Sequence, residues 1–298
     1  MFSPHILLHL WPIEGFYVRF YVRERTETKW IFHETDFFRL SCLSIQQLQL
    51  IDDLPPQQCN AAFRASFRAY DGHNIMINPV HNGALETKAV RIPAGGVLLN
   101  ADLTMPAGAK AIIAFAHGSG SSRHSTRNRY VAETLNGYKF ATLLADLLTE
   151  EEETIDMRTR HLRFDIPMLA DRLIDIAAWL QSEPQMRHLK IGWFGASTGA
   201  GAALIAAARR PENIMAVVSR GGRPDLAGDY LPEVAAPVLL IVGENDPQVL
   251  ELNKSALARL NTEAKLEIVP NATHLFEEPG TLEAAALLAA QWFEGHSD

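Results

Sequence analysis

The sequence predicts an α/β protein, a mostly parallel central sheet with helices on both faces and no large lid domain. Three observations carry that expectation. From Leu85 onward, short apolar runs alternate with segments of helical period, the pattern of a sheet whose strands are joined by crossover helices. Several of those runs are apolar without interruption, as in Ala111 to Ala116 and Val238 to Val242, which is expected of strands covered on both faces. The third is KIGWFGASTGAGAALIAAA, Lys190 to Ala208, which reads as buried strand, very tight turn and small-residue helix.

Taken in order, Thr87 to Ile92 and Val97 to Met105 flank Pro93-Ala94-Gly95-Gly96 and predict an antiparallel pair at a sheet edge. Ala111 to Ala116 is the next strand. A helix follows from about Asn128 to Leu135, ending near Gly137, and Phe140 to Ala145 is again a buried strand. Ile166, Leu169, Leu173, Ile176, Ala177 and Leu180 recur at helical spacing within Asp165 to Ser182, and Pro184 closes that helix. Beyond the central turn come strands Ile214 to Ser219 and Val238 to Val242, helix Gln248 to Leu260, strand Lys265 to Val269, and a last helix from Thr281 to Phe293.

Residues 1–84 have a different texture. Their apolar residues keep no period for long, and Pro55-Pro56 interrupts the one plausible helix, Ser44 to Leu54. The expectation is a poorly ordered or irregular N-terminal extension over 1–84 preceding one domain over 85–298, with Met76 as a candidate physiological start. Formal charge is −8 and carries no basic tract, so no nucleic-acid partner is expected. Cys42 and Cys59 are the only cysteines; they make no disulfide framework and no C-x-x-C metal site. The apolar opening lacks a basic leader and a cleavage site and is broken by Pro12 and Glu14. Neither a signal peptide nor a membrane span is read there, and a cytoplasmic location is expected.

The chemistry centres on Gly195-Ala196-Ser197-Thr198-Gly199, a G-x-S-x-G turn. A serine on a strand-to-helix corner is exposed at the positive end of the helix, and glycine two residues to either side removes bulk that would strike neighbouring backbone. The pattern alone recurs by chance, so its place between strand and helix is what makes it informative. Gly195, Gly199 and Gly201 also spell a dehydrogenase-type phosphate turn, but no Tyr-x-x-x-Lys follows, since Tyr230 is succeeded by Val234. A serine hydroxyl needs a base, and the base an orienting carboxylate. In an open parallel sheet such groups gather past the carboxyl ends of strands. Asp246 lies just past one strand end, and His274 past the last, giving the chain order Ser197, Asp246, His274. Glu244 and Asp225 are rivals for the acid; His117, His124, His161, His188 and His296 are the other histidines of this region.

An oxyanion site needs N–H donors from two loops. His117-Gly118-Ser119-Gly120 leaves an early central strand, so the expected donors are the N–H groups of Ser119 and Thr198. No lysine follows that loop as a P-loop requires. Arg220 and Arg223 follow a strand end directly and suit a carboxylate or phosphate on a substrate; pairing with Asp225, Asp229 or the acidic run Glu150 to Glu153 is the structural alternative. That acidic run reads as a solvated face or a helix's first turn. No metal and no cofactor is called for.

With these residues placed, the stretch from Leu85 to the end resembles α/β-hydrolases of the dienelactone hydrolase-like group. LLADLLTEEEE (Leu143 to Glu153), RHLRFDI (Arg160 to Ile166), SRGGRPDLAG (Ser219 to Gly228) and THLFEEPGTLE (Thr273 to Glu283) resemble a subgroup found alone or joined to a phosphoribosyltransferase domain, which residues 1–84 do not resemble. The resemblance implies hydrolysis of small esters, lactones or thioesters through a covalent acyl-enzyme. Dienelactone hydrolase itself has a cysteine at the turn where this chain has Ser197, so its substrate does not carry over, and a carboxylesterase-like activity is expected instead. Two other readings share the same residues: a binding module that keeps the fold without catalysis, and an acyltransferase or peptidase using the same three groups.

Overall fold

The computed structural model describes residues 85–297, together with the backbone of two strands near the N-terminus. The chain divides into two units, 1–79 and 80–298. In the first, β1 (Ile6–Trp11) and β2 (Tyr17–Val22) form an antiparallel ribbon pairing Ile6 with Val22 and Trp11 with Tyr17. The sequence reading assigned no strands there, because six-residue apolar runs are too short to show a period. The Ser44 to Leu54 segment and Met76 lie outside the described residues.

The second unit is built on an eight-stranded sheet. Its strands are β3 (Thr87–Ala94), β4 (Val97–Thr104), β5 (Ala111–Ala116), β6 (Ala141–Ala145), β7 (Lys190–Ala196), β8 (Ile214–Arg220), β9 (Val238–Gly243) and β10 (Ala264–Val269), in the spatial order β10-β9-β8-β7-β5-β6-β4-β3. Only β4 runs against the rest. The helices are α1 (Thr126–Gly137), α2 (Glu150–Thr159), α3 (Ile166–Ser182), α4 (Thr198–Arg209), α5 (Pro247–Leu257) and α6 (Thr281–Gly295).

Period-two alternation divides the core. In β5, Ile112, Ala114 and Ala116 face the cluster that holds the apolar stripes of α3 and α4; Ala111, Ile113 and Phe115 face the one that holds α1 and α6. Both faces are therefore covered, which explains why β5, β6 and β9 are buried along their whole length. No lid domain is present among the described residues. The span between β8 and β9 folds as a short 3-10 stretch, Pro224–Glu233, kinked at Gly228.

Between β6 and α3 the chain makes an excursion that was legible only as an acidic run. Thr149 caps α2 in a reciprocal box, its hydroxyl accepting from the Glu152 N–H while the Glu152 carboxylate accepts from the Thr149 N–H. The four glutamates Glu150 to Glu153 fill the first turn, where the helix dipole favours negative charge. Leu162–Phe164 then turns the chain into α3, which Asp165 caps through the Met168 N–H.

Candidate active site

Because β5, β7, β8, β9 and β10 are mutually parallel, their carboxyl ends share one rim of the sheet. Ala116 pairs with Gly195, and Ala196 with Arg220, which puts the loop after β5, the turn after β7 and the end of β8 side by side. Ser197 sits between β7 and α4 with φ 49° and ψ −123°, a conformation that costs a non-glycine residue about 1–3 kcal/mol. Close packing holds it there. A Cβ on Gly195 would lie 2.4 Å from Ala200 Cα, and one on Gly199 only 2.1 Å from the Ala116 carbonyl oxygen. Gly118 lies against the serine from the other side, its hypothetical Cβ 3.0 Å from Ser197 Cβ. The Ser197 N–H donates to Arg220 O at 3.3 Å, and Ser197 O accepts from the Arg223 N–H at 2.9 Å. The serine is half-buried, and its hydroxyl makes no hydrogen bond among the described residues.

The loops after β9 and β10 are stitched together. Glu244 N–H donates to Val269 O, Asn245 N–H to Ala272 O, and Asn245 Nδ2 to Asn271 O. This brings His274 Nδ1 to 2.7 Å from Asp246 Oδ2. The acid is well covered and the imidazole 40% exposed, so the ring has one nitrogen engaged and presents the other to the rim. His274 also closes over the end of β8, with Gly221's hypothetical Cβ 3.1 Å from His274 O and 3.6 Å from its Nδ1. The rival acids are occupied elsewhere. Glu244 accepts the Asn271 N–H at 2.9 Å, and Asp225 is held bidentately by Arg223 at 2.8 and 2.8 Å.

Of the two expected N–H donors, Thr198 opens α4, where a first-turn N–H has no intrahelical acceptor. The Ser119 N–H is directed at the same place but already donates to Thr198 Oγ1 at 2.8 Å. The two arginines also part company. Arg223 is tied to Asp225, while Arg220 is 7% exposed, has no carboxylate partner, and makes a single long hydrogen bond, 3.4 Å from its Nη2 to Asn128 Oδ1.

His117 is a residue whose role the sequence did not disclose. It is buried, with Nδ1 3.0 Å from Gly118 O, and its Nε2 accepts the Leu147 N–H at 3.0 Å. That pair of bonds requires the tautomer with the proton on Nδ1. Burial pushes its pKa down, partly offset by the Gly118 carbonyl and by Asp146. A neutral imidazole thus pins the loop carrying Ser119. Its place directly after a strand end was the available signal, shared with His274.

The topology and the serine turn define an α/β-hydrolase. Residues 99–293 match the Dienelactone hydrolase family, and the chain belongs to that family. It is 58% identical to a crystal structure titled as dienelactone hydrolase from Anabaena variabilis, with a TM-score of 0.71, over 72% of this chain and 99% of that one. Est1E from Butyrivibrio proteoclasticus shares the fold at 18% identity, TM-score 0.59, over 70% of this chain and 98% of its own. Two proteins of Mycobacterium tuberculosis named as phosphoribosyl transferases are 58% identical over 212 residues, 71% of this chain and 47% of theirs. The chain therefore spans about half the length of those curated relatives.

Proposed function

We propose that the protein is a serine hydrolase acting on small esters, lactones or thioesters through an acyl-enzyme. The observation that carries this is the 2.7 Å His274–Asp246 contact at the rim that also holds the strained Ser197. In this reading Asp246 fixes the imidazole with its proton on Nδ1, leaving Nε2 to take the serine proton as Oγ attacks the acyl carbon. The tetrahedral oxyanion is stabilised by the Thr198 N–H and by the Ser119 N–H, which exchanges the Thr198 hydroxyl for it. The imidazolium returns the proton to the leaving group, and the freed imidazole then activates water to release the acid and regenerate the serine. Absence of a lid domain among the described residues favours small substrates, since nothing there would enclose a long one.

A fluorophosphonate probe is expected to label the protein at Ser197, and Ser197→Ala to abolish labelling. On a p-nitrophenyl ester panel the same variant is expected to lower kcat by roughly 10⁶-fold, as for a triad acting as a unit. Wild-type protein that stays unlabelled and inert across the panel favours the non-catalytic binding module. Assays with competing amine and alcohol acceptors distinguish hydrolysis from acyl transfer.

A further inference from the structure

Arg220 is the one group at this rim whose chemistry the proposed reaction does not use. Its guanidinium is buried, its Nε has no hydrogen-bond partner, and its Nη2 reaches only Asn128 Oδ1 at 3.4 Å. Its flat face lies over the Phe276 ring, 5.6 Å from the centroid. No carboxylate forms an ion pair with it among the described residues. The nearest charge to act on it is another cation, Arg127, which together with burial lowers the Arg220 pKa to about 10. Arg127 itself reaches only Glu277, at 3.5 Å on the exposed margin.

Burying an uncompensated charge costs several kcal/mol, and proteins rarely retain one without a counter-ion. Everything around Arg220 is positive or neutral. Asn128 and Arg127 belong to the first turn of α1, whose N–H groups add the positive end of the helix dipole. The backbone of Arg220 meanwhile joins nucleophile to base. Its carbonyl accepts the Ser197 N–H, and the next residue, Gly221, lies under His274. Arg223, which the sequence offered as an equal, has its own carboxylate in Asp225 and lacks any such deficit.

We propose that Arg220, with Arg127 and the N-terminus of α1, forms an anion subsite that receives a carboxylate or phosphate group carried by the substrate. The planar fork of Arg220 offers Nε and Nη donors to two oxygens of one group. The natural substrate is then an anionic ester or lactone, the charge seated on the α1 side of the scissile bond. This substrate class rests on the reading of Ser197 as nucleophile; the subsite itself does not.

Two measurements separate those claims. The first compares kcat/KM for p-nitrophenyl butyrate, its hemisuccinate analogue with a terminal carboxylate, and the corresponding phosphonate, in wild type and Arg220→Met. Wild type is expected to prefer one of the charged esters, identifying the anion, and Arg220→Met to lower the charged-to-neutral ratio by about tenfold or more, as loss of a charged hydrogen bond does. An unchanged ratio, or a wild-type preference for the neutral ester, overturns the proposal. The second uses Ser197→Ala protein, which needs no turnover. Inorganic phosphate or succinate, at ionic strength matched with NaCl, is expected to raise Tm dose-dependently and to lose that effect when Arg220→Met is added. Stabilisation without esterase activity in wild type keeps the subsite and removes the hydrolase; activity without stabilisation or charge preference does the reverse. Because Arg220 has no counter-ion, Arg220→Met is also expected to keep or raise Tm in anion-free buffer. A clear fall marks Arg220 as a structural residue and counts against the subsite.

Discussion

The serine turn and the excursion from Thr149 to Asp165 leave the same rim of the sheet and meet where Arg163 Nη1 lies against Gly120, yet they are held by opposite means. The turn is fixed by backbone packed so closely that no Cβ fits, at Gly195 and Gly199. Its helix α4 is buried from Thr198 through Ala207. Within α2 the single buried residue is a carboxylate, Asp156. Its Oδ1 accepts the Leu162 and Arg163 N–H groups at 2.8 and 3.2 Å, and Oδ2 pairs with Arg163 Nε. Behind it Arg172, buried in α3, grips Glu152 bidentately at 2.5 and 2.7 Å and also donates to Leu147 O. Steric exclusion holds one region and charge pairing the other, so they should fail under different perturbations.

The largest expected effect breaks the steric side. Gly199→Ala places a methyl 2.1 Å from Ala116 O and 2.6 Å from His117 O, both backbone atoms at the end of a central strand. Neither can move without shifting β5, so the cost is expected to exceed the roughly 1–3 kcal/mol of overpacking in a core that can yield. Urea unfolding should show that loss, and fluorophosphonate labelling should vanish even in the fraction that folds.

On the polar side, Arg172→Met leaves Glu152 without its partner and the Leu147 carbonyl without its donor. Breaking a buried pair costs about 3–5 kcal/mol. Because the Glu152 side chain is 22% exposed, solvent compensates in part, and about 2–3 kcal/mol is expected. The sheet should survive, with loss of amide protection concentrated in residues 149–165.

Acid should separate the two regions in the same way. The Arg172 hydrogen bonds hold the Glu152 carboxyl below its ordinary range against the effect of burial. For Asp156 burial alone would raise the pKa, but bonds from the Arg163 side chain and from the Arg163 and Leu162 N–H groups outweigh it, and the net shift is downward. Groups lowered on folding stabilise fully above the unfolded carboxylate value near 4 and lose that contribution as pH falls through the folded value. Glu153, raised by burial and by Asp146, opposes them weakly. Hydrogen exchange is therefore expected to show the excursion opening below about pH 4 while the core of β5, β7 and α4 stays protected. Simultaneous loss of both would mean that charge pairing does not set the excursion's stability.

The same division decides what could be read from the sequence. Strands β5, β6 and β9 announce themselves because burial on both faces demands unbroken apolar runs, and the serine turn because only glycine fits its two flanks. Asp246 and His274 were legible as residues just past strand ends, and the structure brings them into contact. The α2 segment, EEEETIDMRT, carries no apolar stripe, since what it buries is Asp156. Arg172 lies among Leu169, Leu173 and Ile176 on the buried side of α3, where a charged residue reads as a break in the pattern rather than as an anchor. Nor could sequence separate Arg220 from Arg223, because the difference lies in which one finds a carboxylate. Ser119 was read as a free donor; that its N–H rests on the Thr198 hydroxyl depends on how closely α4 approaches the loop after β5.

The smallest expected effect sharpens the comparison without breaking either region. Thr149→Ala removes the hydroxyl that accepts the Glu152 N–H at 3.2 Å, and loss of such a cap costs about 0.5–2 kcal/mol. The reciprocal bond from the Thr149 N–H to Glu152 Oε2, at 2.9 Å, needs no side chain at 149 and should persist, anchored by Arg172, so the lower end of that range is expected. Thr149→Ser should restore the loss. If Thr149→Ala instead destabilises α2 as much as Arg172→Met does, the cap and the ion pair form a single cooperative unit, and a double-mutant cycle between positions 149 and 172 would measure their coupling directly.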